Sequence, residues 1–271
     1  MNDKLKEIEE VFIGQVQKSD SVLGAWRFGS ETHGLSDDLS DVDIVLLIDG
    51  NYFDKSINEM EKYIENSCDE IYLCYPEEFN GEAIINNGYL ISKDNDIFQF
   101  DIFLLHSGHL GDFLCRMHYT GLAEKDIIFD KTGRVRELIS LNSTGSYYKD
   151  NITHLETAYW YHAYMVKKYL ARKDFFKLYH IFHTLYEIHA SMLLVGFDQI
   201  TWGGCQNKLG FIPEDKGGHL KKYFCTEDFD KNRENILYCM KTFAEDTKEI
   251  CRLKNEEYNE CLANRMIKFF S

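Results

Sequence analysis

An α+β chain, a β-sheet flanked by helices and followed by an α-helical bundle, is predicted by three observations. Segments rich in β-branched and aliphatic residues, Val22 to Phe28, residues 42 to 48 and Ile97 to Leu105, alternate in the first half with turn signals and short helical stretches. From residue 150 onward the pattern is helical throughout. Between the two regimes lies Asn142-Ser143-Thr144-Gly145-Ser146, the clearest linker, where the charge also changes. These place domain boundaries at 1–141 and 147–271.

The elements follow in order. Leu5, Ile8, Val11 or Phe12, and Val16 recur at helical spacing across residues 3–18, giving an amphipathic helix that Ser19-Asp20-Ser21 ends. Strands follow at 22–28 and 42–48, and Asp49-Gly50-Asn51 is a turn signal. Ile57, Met60 and Ile64 mark one face of a helix over 55–66, and Ile71 to Tyr75 is a strand closed by Pro76. Asn86-Asn87-Gly88 and Lys93-Asp94-Asn95-Asp96 predict turns on either side of a short strand at 89–92, before the longer strand 97–105. A helix over 109–118, an apolar Ile127-Ile128-Phe129 and an Asp130-Lys131-Thr132-Gly133 turn into a further helix complete this half. The second half reads as helices over 150–172, 174–195, 229–252 and 255–270, with glycines at 196, 203, 204, 210, 217 and 218 breaking the chain between them.

Composition bounds the function. With 271 residues, 44% of them apolar, the chain can bury a core unaided. No stretch approaches ~20 consecutive apolar residues and the start lacks a signal peptide's apolar core, so a cytoplasmic protein without membrane contact is expected. Eight cysteines without a C-x-x-C pair give no zinc ribbon or redox motif. The net charge of −15 is unevenly spread: residues 1–140 carry 28 acidic and 12 basic side chains, residues 141–271 carry 17 and 18. An N-terminal half at −16 would repel a phosphate backbone, so no nucleic-acid partner is expected, whereas a cationic small molecule would be drawn to it.

The chemistry concentrates in Phe28-Gly29-Ser30-Glu31-Thr32-His33-Gly34 and, after a short polar loop, Ser40-Asp41-Val42-Asp43 leading into a β-branched run. Side chains on a strand alternate faces, so Asp41 and Asp43 project together while Val42 and Ile44 pack behind. Two like charges on one face call for a divalent cation, and Mg2+, which shares carboxylates with substrate phosphates, is the natural one. Gly29 lets the backbone approach a ligand and Ser30 offers a hydroxyl to a phosphate oxygen. The stretch reads as a nucleoside triphosphate site. Asp101 sits in an aromatic and aliphatic strand, where a carboxylate costs several kcal/mol unless it is paired, hydrogen-bonded or metal-bound.

Gly29-Ser30, Gly34 and Ser40-Asp41-Val42-Asp43 match the G-S-x(n)-G-x(n)-D-x-D signature of the nucleotidyltransferase superfamily, whose core resembles DNA polymerase β. Within it the chain resembles the small bacterial antibiotic nucleotidyltransferases that act on lincosamides and aminoglycosides. The resemblance implies a mixed-sheet nucleotidyltransferase core at 1–141 with a helical substrate-binding domain at 147–271. It implies Mg2+-dependent transfer of a nucleoside monophosphate, AMP from ATP, to a hydroxyl of a small molecule, with release of pyrophosphate and antibiotic resistance as the outcome. Asp41, Asp43 and, on a neighbouring strand, Asp101 would hold the metal, and Gly29, Ser30 and Ser40 the nucleotide. Lys131, in an Asp-x-x-Gly turn that similar enzymes place near the nucleotide, is a further candidate contact. Related enzymes complete their acceptor cleft with a second subunit, so a homodimer is among the expectations.

A general base should accept the proton of the attacking hydroxyl; Asp101 is the first candidate, with Glu156 and Glu187 on the helices as alternatives. His180, His183 and Glu187 share a helix face at i, i+3 and i+7, which suits a metal, an acceptor-pocket wall formed with Glu156, or plain packing. Two rival functions stay open: a non-catalytic nucleotide sensor or partner-binding protein, and a protein-AMPylating enzyme of the antitoxin type. The intact carboxylate set argues against the first and the added helical half against the second.

Overall fold

The computed structural model describes residues 2–29, 32, 40–142, 152–199 and 204–270. The chain divides into two compact units, Met1–Gly145 and Ser146–Ser271.

In the first unit α1 (Asp3–Val16) begins where the Asn2 side chain accepts the Lys4 amide at 2.9 Å. Then follow β1 (Val22–Arg27), β2 (Val42–Ile48), α2 (Phe53–Glu65), β3 (Glu70–Pro76), β4 (Ile84–Lys93), β5 (Asp96–His106), α3 (Phe113–Met117), β6 (Ile127–Asp130) and α4 (Arg134–Asn142). Among the described residues the strands form one sheet in the order β3-β4-β5-β2-β1-β6. β2 and β5 run parallel and the other neighbours antiparallel, so the sheet is mixed.

Both faces of this sheet are covered, which explains why its central strands are almost continuously apolar. Val42, Ile44, Leu46 and Ile48 of β2 bury against Leu5, Ile8, Phe12 and Val16 of α1 and Met60 and Ile64 of α2. Val45 and Leu47 face the opposite layer with Phe103 and Leu105 of β5, Cys115 of α3 and Val135 and Leu138 of α4. Each such aliphatic side chain contributes about 1.5–3 kcal/mol of burial.

Two expectations needed correction here. Asn86-Asn87-Gly88 is not a turn but the middle of the ten-residue β4, which pairs with β3 on one side and β5 on the other. Ladder pairing on both edges outweighs the turn preference of these residues. The connection that does turn is Asp94-Asn95, both at positive φ (49° and 66°), the left-handed backbone that a two-residue hairpin needs. The helix expected over 109–118 shortens to α3 because Asp112, in extended conformation, takes the N-cap position.

The second unit consists of α5 (Ile152–Arg172), α6 (Phe175–Gly196), α7 (Glu214–Gly217), α8 (Phe229–Lys254) and α9 (Glu260–Phe270), with 3-10 turns at Cys205–Phe211 and Gly218–Tyr223. Its core packs Tyr159, Ala163 and Val166 of α5 against Phe182 and Leu185 of α6 and Met240 and Phe243 of α8, with the rings of Tyr159 and Phe243 stacked. The last helix starts later than residue 255 because Asn255, at φ 56°, ends α8 in left-handed conformation. The expected linker residues 143–146 and Gly203 lie outside the described residues. No helix among the described residues is long and apolar enough to cross a membrane.

Candidate active site

The first unit gathers three carboxylates where β2 begins. β2 and β5 are neighbours in parallel register with Asp43 opposite Asp101. Because Val42 and Ile44 fill the layer under α1 and α2, the period-two alternation leaves Asp43 on the other face, shared with Asp101 two residues before Phe103. Asp41, Asp43 and Asp101 each bring a carboxylate oxygen into a group lying within 4.8 Å of one another, all three residues half-buried. The two aspartates read from the motif and the one read from the apolar strand therefore meet.

Two glycines make room for them. Gly29, two residues past the end of β1, has φ 69°, and a Cβ there would run into the Asp43 carboxylate. Gly88 stands opposite Asp101 in the β4–β5 register, where a Cβ would come within 2.6 Å of Asp101 Oδ1. Gly88 is a site residue that sequence reasoning missed, since Asn-Asn-Gly signals a turn. A glycine inside a strand, where it weakens the ladder, was the available clue.

The electrostatics favour a cation. Burial pushes the Asp101 carboxyl up to about 6, the Asp41 and Glu77 charges push the same way, and the hydrogen bond from Gln99 opposes them. Gln99 Nε2 donates to Asp101 Oδ2 at 2.7 Å, a second contact invisible in the motif. Three hard oxygen donors this close together suit Mg2+ better than a soft metal. Ser40 and Asp41 also line an open cleft of about 410 Å3 with Asn2, Asp96 and Gln99.

The other nominated residues are more scattered. Ser30 and Gly34 lie outside the described residues. Lys131 donates from Nζ to the Ser19 carbonyl at 2.6 Å and lies over the Phe129 ring. Its Asp-x-x-Gly turn serves the fold, since Asp130 accepts the Gly133 amide at 2.9 Å and the Arg136 amide at 3.1 Å and so caps the start of α4. In the helical unit Glu156 is buried, with Oε1 accepting the Asn259 amide at 3.2 Å just before α9. His183 pairs with Glu187 at 3.4 Å on an exposed stretch of α6. His183 also borders a cavity of about 270 Å3 with Tyr179, Tyr186, Tyr223, Phe224 and Cys225. Among the described residues His180, His183 and Glu187 do not form a three-ligand group.

Comparison with known proteins adds a family. A model described as streptomycin adenylyltransferase matches residues 4–271. An aminoglycoside 6-adenyltransferase from Bacillus subtilis has a similar structure, with a TM-score of 0.46 and 11% identity over 100% of this chain and 98% of its own. No curated protein matches.

Proposed function

The chain belongs to the streptomycin adenylyltransferase family, and from that premise we propose that this adenylyltransferase moves AMP from ATP to a hydroxyl of an aminoglycoside, releasing pyrophosphate. The observation that carries the proposal is the meeting of Asp41, Asp43 and Asp101, with oxygens within 4.8 Å of one another. Their spacing and hardness suit Mg2+, which when bound supplies positive charge against the triphosphate and the reacting phosphorus.

The remaining work belongs to the chain. Gly29 brings the backbone close to the phosphates, and the hydroxyls of Ser30 and Ser40 donate to their oxygens. Asp101 takes the proton from the attacking hydroxyl, its carboxylate lying beside those of Asp41 and Asp43 where that hydroxyl would meet the nucleotide. Glu156 and Glu187 are the alternatives, and Glu156 would first have to release the Asn259 amide. The N-terminal unit is assigned catalysis and residues 147–271 acceptor recognition. Acidity confined to the N-terminal half supports a cationic acceptor. A cytoplasmic setting, with ATP at hand and thiols reduced, fits the eight free cysteines.

The test is incubation with ATP and Mg2+ and, separately, streptomycin, other aminoglycosides and a lincosamide, read by mass spectrometry for an added AMP. Transfer to an aminoglycoside, weakening as ionic strength rises, is expected. Transfer to the lincosamide alone would change the acceptor class. AMP on a protein tyrosine would favour the protein-modifying alternative. ATP binding without any transfer would favour a sensor.

A further inference from the structure

The helical unit holds a second group of ligand-type side chains, remote in sequence from any motif. His189 of α6, His219 of the turn Gly218–Tyr223 and Asp246 of α8 each offer an atom, all within 4.8 Å of one another. His189 Nε2 lies 3.1 Å, and His219 Nε2 3.3 Å, from the same oxygen, Asp246 Oδ2. The side chains are 0%, 10% and 9% exposed, so the group is nearly dry. His219 Nε2 nevertheless has no hydrogen-bond partner, because its direction toward Asp246 does not make a bond. A buried polar atom left in that state costs about 1–3 kcal/mol.

We propose that His189, His219 and Asp246 form a zinc-binding site that ties α6, the Gly218–Tyr223 turn and α8 together. Zinc bonds of about 2.0–2.2 Å in tetrahedral geometry set neighbouring ligand atoms roughly 3.3–3.5 Å apart. The two measured separations are close to that spacing. Two imidazoles with one carboxylate favour zinc over magnesium or calcium, which prefer all-oxygen shells. A water would complete the fourth position.

The surroundings suit this. His189 Nδ1 lies 2.9 Å from the Tyr223 hydroxyl, which lies 2.7 Å from that of Tyr159. With zinc on Nε2, the Nδ1 proton donates to Tyr223, the outer-shell bond that fixes a ligating imidazole. Lys216 lies 3.7 Å from the other carboxylate oxygen, Oδ1, and is anchored to Glu249 at 2.6 Å, so Oδ2 is left to the metal.

The experiment uses the full chain stripped with a chelator, then titrated with Zn2+ and Co2+ alone. One equivalent of Zn2+ should bind, raise Tm, and displace Co2+ from a Co2+ form that shows the intense visible absorption of a tetrahedral ion. His219→Gln and Asp246→Asn should weaken binding by at least roughly 100-fold, the upper end of what loss of an outer-shell partner costs, and Tyr223→Phe by about 10-fold. Asp41→Asn/Asp43→Asn should keep the equivalent, which separates this site from the active-site carboxylates. Failure of AMP transfer would leave these readouts untouched. Absence of uptake, uptake unchanged in folded His219→Gln, or uptake lost with Asp41 and Asp43 would overturn the proposal. Should both ligand variants misfold, the wild-type Co2+ spectrum decides, a weak six-coordinate pattern overturning it.

Discussion

Asp101 in the N-terminal unit and Asp246 in the helical unit are both carboxylates drawn largely out of water, and their neighbours drive them in opposite directions. Around Asp101, burial is joined by the charges of Asp41 and Glu77, and the carboxyl rises to about 6. Around Asp246, burial also pushes upward, but the hydrogen bond with His189 and the two imidazoles beside it outweigh it and hold the carboxyl well below the usual range. Burial pushes the His189 imidazole down, so at neutral pH it is uncharged and serves as an N–H donor. The first cluster is crowded with negative charge and suits an incoming cation. The second sets one carboxylate between two imidazoles, a mixed donor set that suits zinc when metal is present and holds the carboxylate by itself when it is not. Burial alone thus says little about what a carboxylate is for; the sign of its companions decides.

The sharpest way to break this contrast is Asp41→Asn or Asp43→Asn. Each should cut turnover by about 1,000-fold or more, equivalent to roughly 4 kcal/mol of barrier, while circular dichroism stays native. Wild-type kcat in either variant would remove the carboxylate set from the reaction. Next is Gly88→Ala, whose Cβ would press on Asp101 Oδ1 from 2.6 Å. Displacing one carboxylate should lower kcat/KM by about 100-fold with an overpacking cost of about 1–3 kcal/mol. A Gly88→Ala enzyme with normal kinetics would show that the gap is incidental.

Smaller effects test the electrostatic signs, in chelator-treated protein. Asp246→Asn should cost about 1–3 kcal/mol in urea unfolding at neutral pH. A depressed carboxyl stabilises the fold above its ordinary value of 3.8, and that benefit is lost as pH falls, so the deficit of the variant should shrink below it. Asp101→Asn should do the reverse. A raised carboxyl binds more protons folded than unfolded, so wild-type stability falls as pH climbs from 3.8 to about 6, and the variant should gain over wild type across that window. Equal Tm profiles for Asp101→Asn and wild type would mean that Asp101 is not strained by its neighbours.

The sequence disclosed one cluster and hid the other for a physical reason. Asp41 and Asp43 are two positions apart, so strand alternation alone brings them together, and Asp101 betrayed itself by interrupting an apolar run. Gly88 was misread because local turn preference cannot register partners on both sides of a strand, and Gln99 was missed because its role depends on where Asp101 points. His189, His219 and Asp246 lie about 30 positions apart on three elements, and only tertiary packing brings them to one oxygen. The helices themselves were legible to within a few residues because their apolar stripes are long and regular.

The parallel pairing of β2 with β5 also bears on how the molecule is made. The β4–β5 hairpin closes over two residues, Asp94 and Asn95, and can form locally. By contrast, Asp43 and Asp101 are 58 positions apart along the chain, and β1 meets β6 by pairing Ala25 with Phe129. Loop-closure entropy makes such long-range pairings the slow part of folding. The carboxylates sit on the two sides of that late seam, so a partly folded chain can hold native helices and a native hairpin while lacking the proposed catalytic centre. During refolding, recovery of activity should therefore trail recovery of helical signal, and a newly made chain becomes an enzyme only when its central strands join.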